Sequence, residues 1–283
     1  MKVLHVIPSV AARYGGPSLA IFPMCRALKE AGCDVSICTT NADGQHRLPV
    51  KIGRTSKYEG VETIFFPSAA GEFKYSRGMA HWLDLHIPEF DLIHIHAVFN
   101  YPSVRAARAA RKHGVPYVIR PLGTLDPWSM GQKLLKKKLF WHAFGKDMIE
   151  GAAAVHYTAA AEQEAVEQSL NVNHGVVIPL GVDLDVSYRA LEFNQSTLDA
   201  DGSVIRSPQS AMPYVLFLSR LHPKKGLEVL IEAFASVLSD ERFRKWKLLI
   251  AGDGTRVCRL FKVCRTQIGN RPFRDFHRLA GNG

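Results

Sequence analysis

The sequence lacks a long hydrophobic run and a segment of leader type. A helix that spans a bilayer needs about 20 consecutive apolar residues, and no stretch of the 283 residues approaches that length. The first residues are apolar, but Pro8 interrupts them and Arg13 follows, which favours a first strand and loop over a signal peptide. We therefore expect a cytoplasmic protein without a membrane-spanning helix.

Cysteine and glycine patterns typical of zinc or dinucleotide sites are also missing. The five cysteines show no CxxC spacing, and an odd number of cysteines without a signal peptide favours reduced thiols. Two glycine-rich stretches, "YGGPS" at 14–18 and "AGDGT" at 251–255, lack the third glycine of GxGxxG. A nicotinamide-binding function is therefore not favoured.

Negative charge is scarce relative to positive charge. The chain carries 36 Lys and Arg against 26 Asp and Glu, a formal net charge of +10. This excess predicts an anionic partner such as phosphate groups or a membrane surface. Nucleic acid is not expected as a partner, because aromatic residues are not interleaved with the basic ones and part of the excess lies in the arginine-rich stretch 255–283.

Short apolar runs alternate with amphipathic segments over residues 1–184, which predicts an α/β fold with a parallel sheet covered on both faces. The polar region 185–212 is predicted to be a linker or surface loop. A second strand–helix–strand unit follows at 213–254, and the periodicity of 255–283 is weak. We expect a complete first domain and a partial second domain, since two strands are too few to enclose a core.

Two motifs at predicted strand ends have the composition of anion sites. Arg220 and Lys225 follow a strand and precede a helix, and two cations beside a helix N-terminus suit a diphosphate. Gly15 and Gly16 follow the first strand, where glycine lets the backbone approach a ligand closely. The alternative interpretations are a solvated basic turn and a plain strand-to-helix turn.

Polar side chains also follow two neighbouring strands. His94 and His96 alternate in "DLIHIHA", so a period of two places both on one face. A metal ion would need a third ligand, and none is near in the sequence, so no metal site is predicted. His96 is predicted to be a polar contact or a base in a cleft, with a hydrogen-bonded histidine at a strand end as the alternative. The loop "RPLGTLDPW" offers Arg120 and Asp126.

The stretch "KLLKKKLFWHAFGK" at 133–146 predicts an amphipathic helix. Its leucines form an apolar stripe, and a helix of this kind is typical of attachment to an anionic membrane surface. The alternative is a helix whose apolar stripe faces the domain core and whose lysines face solvent. Its basic residues are Lys133, Lys136, Lys137 and Lys138.

In their order along the chain these motifs resemble a family 4 glycosyltransferase of the GT-B fold. The resemblance runs from Lys2 to about Gly254. It is carried by the Gly-Gly loop, "DLIHIHAVF", "PYVIRPLGTLDPW", "VIPLGVD", "FLSRLHPKKGLEVLIEAFA" and "LLIAGDG". It implies two Rossmann-like domains, the first holding a polysaccharide or lipid-linked glycan acceptor and the second a nucleotide-sugar donor, with transfer of the sugar under retention.

The resemblance also assigns roles to residues. Arg220 and Lys225 would hold the donor diphosphate and neutralise it as it leaves, so that neither a metal ion nor another cofactor is implied. Gly15 and Gly16 would face the same phosphates. The acceptor side would contain His96, as the catalytic candidate, together with Arg120 and Asp126.

Two departures from the family pattern bear on activity. Leu122 stands where many relatives have histidine, so no catalytic role is carried over to that position. The donor-binding glutamate pair of the family has no counterpart, because no glutamate follows Glu241. We therefore expect transfer to be impaired by truncation, and the alternative function is a non-catalytic remnant that retains acceptor or membrane binding. Either form is expected in the cytoplasm, peripheral to the inner face of the membrane.

Overall fold

A large parallel sheet organises the first part of the chain. The structure, a computed structural model, describes residues 1–181, 213–219 and 221–252. The strands of the first range are β1 (Lys2–Val6), β2 (Asp34–Thr40), β3 (Ala42–Asp43), β4 (His46–Arg47), β5 (Thr55–Tyr58), β6 (Val61–Phe66), β7 (Leu92–His96), β8 (Tyr117–Arg120), β9 (Ala154–Tyr157) and β10 (Gly175–Val177).

Eight of these strands form one sheet in the order β10-β9-β8-β7-β1-β2-β6-β5. Every neighbouring pair is parallel except the antiparallel edge pair β5–β6. The remaining two strands, β3 and β4, form a small antiparallel hairpin. Parallel pairing requires crossover connections, and helices supply most of them here.

The helices of residues 1–181 lie in the connections between the strands. None of the described helices is long and apolar enough to cross a membrane. They are α1 (Gly16–Glu30), α2 (Arg77–His86), α3 (Tyr101–His113), α4 (Pro127–Gly131), α5 (Leu134–Phe140), a π-helical turn (Trp141–Gly145), α6 (Lys146–Glu150) and α7 (Ala160–Leu170).

The two faces of the sheet are covered differently. On one face Leu4, Ile93 and Ile95 pack in a large core to which α2, α3, α6 and α7 contribute. On the other face Val3 and β2 residues pack against α1 in a smaller core. Because side chains alternate along each strand, the histidines of β7 lie on the face that α1 covers only in part.

Capping residues explain where α3 begins and ends. The Asn100 side chain accepts a hydrogen bond from the Ser103 amide at 2.9 Å, which satisfies one of the free amides of the first turn. Gly114 ends the helix in the left-handed conformation with φ 69°, a conformation that glycine adopts without a steric penalty. The predicted helix "SVRAARAARKHG" is confirmed.

The predicted long helix over 133–151 is interrupted. Five residues, Trp141–Gly145, form a π-helical turn between α5 and α6. A Cβ atom on Gly145 would lie 2.7 Å from a Trp141 ring carbon, so the ring packs where only glycine leaves room. Sequence periodicity shows the helix but not this widened turn.

A second, separate unit contains the described residues from 213 onward. The chain divides into compact units Met1–Ser187 and Tyr188–Gly283. In the second unit β11 (Tyr214–Leu218) pairs in parallel with β12 (Lys247–Ala251), and α8 (Leu227–Val237) connects them. Leu227, Ile231 and Ile250 pack together with Leu221, which confirms the predicted strand–helix–strand unit.

The α/β class and the alternation of strands and helices are confirmed, whereas the division into four segments, 1–184, 185–212, 213–254 and 255–283, stays a prediction. The predicted linker 185–212 and the arginine-rich stretch 255–283 lie outside the described residues. Several described elements were not predicted: the β3–β4 hairpin, β5, α2 and α4.

A matched pair of leucines tests the packing. Leu83 on α2 is fully buried, whereas Leu135 on α5 is 84% exposed. Leu83→Ala should lower the free energy of unfolding by about 3–5 kcal/mol, because it leaves a cavity in the larger core. Leu135→Ala should change it by less than about 0.5 kcal/mol. Denaturant melts of the two variants provide the comparison, and equal losses would contradict the orientation of α5.

Candidate functional site

The Gly-Gly loop lies at the carboxyl end of β1. Gly15 has φ 76° and ψ −145°, a conformation open essentially to glycine alone. Its amide donates to the Ala12 carbonyl at 2.9 Å and is therefore occupied within the loop. Gly16 begins α1, and no atom lies within 4 Å of the place where its Cβ would stand. Gly16 therefore leaves room for a ligand on the side where another residue would carry its Cβ atom.

Tyr14 connects this loop by hydrogen bonds to Lys74 and Gly44. Its hydroxyl oxygen accepts from the Lys74 ammonium and from the Gly44 amide, each at 2.8 Å. The Lys74 ammonium also lies 4.5 Å from the centre of the Tyr14 ring. Lys74 is 8% exposed and has φ 57°. Sequence reasoning missed this lysine, because nothing in "GEFKYS" distinguishes it from a solvated residue.

Four histidines gather on the face of the sheet opposite the larger core. His5 on β1 is the register partner of His94 on β7. The His5 Nδ1 and His96 Nε2 atoms are 3.0 Å apart, and the His156 Nδ1 and His94 Nε2 atoms are 3.2 Å apart. Both pairs are within hydrogen-bond distance. The His5–His96 bond joins residues 91 positions apart in sequence.

One hydrogen bond determines the tautomers of half of this cluster. His156 Nε2 lies 2.9 Å from the Ile178 carbonyl oxygen, so this nitrogen carries a proton and donates. In a neutral ring the Nδ1 atom of His156 must then accept. His94 accordingly donates from its Nε2 atom, which leaves the His94 Nδ1 without a proton.

All four rings are held in the neutral state. Burial, assisted by the nearby charge of Arg120, lowers the pKa of His5 to about 3. Burial likewise lowers the pKa values of His94 and His96 well below the usual histidine range, and it lowers that of His156. Removing an imidazolium ion from water costs more free energy than removing the neutral ring.

The expectation that His94 and His96 have no third ligand nearby is wrong. Ligand nitrogens of His5, His94 and His96 lie within 4.8 Å of one another. The sequence hid this because β1 and β7 become neighbours only through the sheet. Neutral imidazoles are suitable ligands for a transition metal, but the positive charge of Arg120 beside them disfavours a cation.

Arg120 ends β8 and is the register partner of His96. Its side chain is 2% exposed, and its Nε atom is buried without a hydrogen-bond partner. Burial lowers the pKa of Arg120, and the charge of Glu162 opposes that shift. The Glu162 carboxylate itself accepts from the Gly123 amide at 2.8 Å and from the Thr158 amide at 3.0 Å. It thereby holds the loop after β8 against the end of β9.

Asp126, which was predicted to lie on the acceptor side, also caps a helix. Its carboxylate accepts from the Ser129 amide at 2.7 Å and caps α4. Trp128 in the same short helix is 42% exposed. The structure therefore places His96 and Arg120 side by side at the carboxyl ends of β7 and β8, and Asp126 in the loop that follows β8.

The predicted donor-side cations belong to the second unit. Lys225 is exposed and ends a short 3₁₀ turn, Pro223–Lys225, just before α8. Gly226 links the turn to the helix in the left-handed conformation, with φ 62°. Arg220 lies outside the described residues.

The apolar stripe of α5 faces solvent. Leu135 and Leu139 are 84% and 73% exposed, so the alternative of a stripe directed into the core does not describe them. Phe140 at the end of α5 does pack against the larger core. Lys133 pairs with Glu72 at 2.7 Å, and the Lys137 ammonium donates to the Ser129 carbonyl at 2.6 Å.

Sequence comparison identifies the family. A family model described as a glycosyl transferase 4-like domain matches residues 15–181, which is more than half of the chain. The chain belongs to this family. A second model, described as glycosyl transferases group 1, matches residues 206–267 of this glycosyltransferase. The predicted transferase class is therefore confirmed. None of the curated proteins compared matches the chain.

Solved structures of other proteins share the fold of this chain. HepE from Anabaena, in complex with UDP, has a TM-score of 0.57 at 18% identity over 95% of this chain and 67% of HepE. A trehalose 6-phosphate synthase from Burkholderia multivorans has a TM-score of 0.54 at 15% identity over 95% of this chain and 68% of its own. At such identities the likeness shows the fold alone, and the predicted GT-B type is confirmed.

The two glycines provide a direct test of the loop. Gly15→Ala should lower the free energy of unfolding by roughly 1–3 kcal/mol, because alanine is strained at that backbone conformation. Gly16→Ala should change it by less than about 1 kcal/mol, since the space in front of Gly16 is open. Thermal or denaturant unfolding distinguishes the two, and equal effects would contradict the loop geometry.

Proposed function

We propose that this glycosyltransferase moves a sugar from a nucleotide-sugar to a polysaccharide or lipid-linked glycan acceptor, with retention and without a metal ion at the diphosphate. The supporting observation is the family match over residues 15–181, joined to "SRLHPKKG" in the second unit. HepE, which has the same fold, was solved with UDP and with UDP and glucose. A uridine nucleotide is accordingly the first donor to test.

The proposed chemistry assigns charge neutralisation to the second unit. Arg220 and Lys225 stabilise the diphosphate as the bond to the sugar breaks, which is the task a metal ion performs in other transferases. Lys225 is exposed in a turn that precedes α8, so its ammonium is available to a ligand. Gly15 and Gly16 are assigned to the same phosphates, with the Gly16 amide as the donor of a hydrogen bond.

The acceptor is assigned to the carboxyl ends of β7 and β8 in the large sheet. His96 is the proposed polar group nearest the reacting hydroxyl. Arg120, its register partner on β8, and Asp126 in the loop that follows β8 are assigned to the same acceptor. His96 is 1% exposed and bonded to His5. Its proposed role is therefore as a neutral hydrogen-bonding group and not as a preformed cation.

A second candidate function is a remnant that binds acceptor or membrane without transferring sugar. It is favoured by the exposure of Leu135 and Leu139 on α5, because an exposed apolar stripe suits a membrane surface whether or not sugar is transferred. The two candidates differ in donor binding, which can be measured directly.

Nucleotide release provides that measurement. The chain is incubated with labelled nucleotide-sugars, beginning with uridine donors, and release of nucleoside diphosphate is followed with and without EDTA. We expect slow release that EDTA leaves unchanged. Lys225→Ala should reduce it roughly tenfold to hundredfold, because a charge-assisted contact to phosphate contributes about 1.5–3 kcal/mol. Arg220→Ala should act alike.

Lys245→Ala is the matched control, because this exposed lysine lies in the same unit away from the turn and should leave the rate unchanged. Absence of both release and saturable donor binding in the unaltered chain would establish the remnant instead. Loss of release on adding EDTA would contradict the metal-free mechanism.

We also assign α5 to contact with an anionic membrane. The support is the exposure of Leu135 and Leu139 next to Lys136 and Lys138, because apolar side chains bordered by lysines suit the headgroup boundary. Such a contact would place the transferase beside a lipid-linked acceptor.

Vesicle binding tests this contact. The chain should bind vesicles containing phosphatidylserine and be released by salt, since lysines near such a surface contribute about 1 kcal/mol each. Lys136→Gln with Lys138→Gln should weaken binding by about 2 kcal/mol. The control pair Lys51→Gln with Lys57→Gln, also exposed, should not. Equal binding to neutral vesicles, or equal losses in both pairs, would exclude the contact.

A further inference from the structure

Arg120 is a buried cation that has no counterion in the described part of the chain. Its side chain keeps 2% of its surface exposed at the carboxyl end of β8, and its Nε atom has no hydrogen-bond partner. Among the described residues no carboxylate forms an ion pair with its guanidinium. Arginine is the side chain best suited to bidentate contacts with an oxyanion, and a buried charge without such a partner is costly. An uncompensated guanidinium at this place indicates a missing anion.

The side chains around Arg120 are neutral hydrogen-bonding groups, and the one carboxylate whose charge acts on it, that of Glu162, forms no ion pair with it among the described residues. His5, His94, His96 and His156 all lie close enough for the charge of Arg120 to lower their pKa values, and all four are neutral. The charge of Glu162 acts on Arg120 and opposes the lowering of its pKa by burial. The Glu162 oxygens are engaged by the amides of the neighbouring loops.

His5 adds a second unsatisfied group to the same cluster. Its Nε2 atom is buried and has no hydrogen-bond partner. His5 Nδ1 and His96 Nε2 share one proton between them in their bond, so the His5 Nε2 atom is free either to donate or to accept. A buried polar atom without a partner is destabilising unless a ligand or a water satisfies it.

We propose that Arg120 and the histidines beside it bind an oxyanion on the acceptor, a phosphate or a carboxylate group, so that the acceptor of this enzyme is an anionic sugar or a sugar phosphate. The acceptor assignment rests on the proposed function, whereas the anion site rests on Arg120 and the unsatisfied His5 Nε2 atom. The carboxyl end of a parallel sheet is where α/β proteins bind ligands. The guanidinium holds the oxyanion, and the one N–H of the neutral His5–His96 pair that their own bond does not use donates to one of its remaining oxygens.

A metal ion is the competing occupant of the same cluster, and the charge distribution argues against it. Three histidine nitrogens within 4.8 Å of one another satisfy the ligand count for a metal. However, a divalent cation would be repelled by the unpaired guanidinium beside it, whereas an oxyanion would be attracted. The same observation thus favours one occupant and disfavours the other.

Ligand-induced stabilisation of the full chain tests the site without any sugar donor. At constant ionic strength, glucose 1-phosphate and glucuronate are titrated against glucose, and the thermal midpoint is followed. We expect a saturable rise of about 3–5 °C at tenfold saturation with one or both anions, and none with glucose. The arm that responds identifies the acceptor group as a phosphate or a carboxylate.

Arg120→Met should abolish this response and, without ligand, raise the midpoint, because it removes a buried charge that nothing in the described part of the chain compensates. Arg105→Met is the matched control. Arg105 is paired with Asp84 at 2.7 Å, so its loss should lower the midpoint and leave the response to anions intact.

The proposal is overturned if neither anion stabilises the unaltered chain, if the response persists in Arg120→Met, or if that variant melts lower without ligand. It is also overturned if Zn²⁺ raises the midpoint saturably and the anions do not. If a variant does not fold, the titration of the unaltered chain still decides whether an anion binds. Since no donor is present, a negative result leaves the proposed transfer reaction intact with a neutral acceptor.

Discussion

The parallel pairing of β1 with β7 at the centre of the sheet is the constraint on which the candidate site depends. It brings His5 beside His94 and His96, although the chain separates them by almost a third of its length. The next pairing, β7 with β8, adds Arg120 beside His96. Because alternation along each strand sends Ile93 and Ile95 to the opposite face, the sheet builds an apolar core and a polar cluster from the same few residues.

That division has an energetic consequence. Neutral buried histidines and an unpaired guanidinium stabilise nothing by themselves, since each has lost its hydration. The larger core on the other face, with fully buried Leu4, Ile95 and Ile119, supplies the free energy that keeps the strands in register. The polar cluster can therefore be unsatisfied without unfolding the domain, which is the usual condition for a binding site held by a rigid scaffold.

Sequence patterns predicted the elements whose burial is regular. The apolar runs of β1, β2, β6 and β7 and the capped helix α3 were recognisable because burial on the sheet imposes their composition. The edge strand β5, with the polar sequence "TSKY", carries no such pattern. For the candidate site, His94, His96 and Arg120 were named individually. The third histidine and the lack of a counterion for Arg120 among the described residues could not be predicted, since both depend on contacts between distant segments.

The orientation of α5 could not be predicted for another reason. Every helix of an α/β domain needs an apolar stripe, and only the structure shows that Leu135 faces solvent.

Positive charge alone is a poor indicator of an anion site in this chain, and pairing is a better one. Several cations are neutralised locally: Arg105 by Asp84 and Lys133 by Glu72. Lys74 is buried against Tyr14, where its ammonium stabilises the Gly-Gly loop. Arg120 differs from these in being enclosed by neutral rings. The net charge of +10 is distributed over such environments, so only a few cations remain able to attract an anionic ligand. At the carboxyl end of β8 that cation is Arg120, and the ligand that pairs with its guanidinium must carry a negative charge.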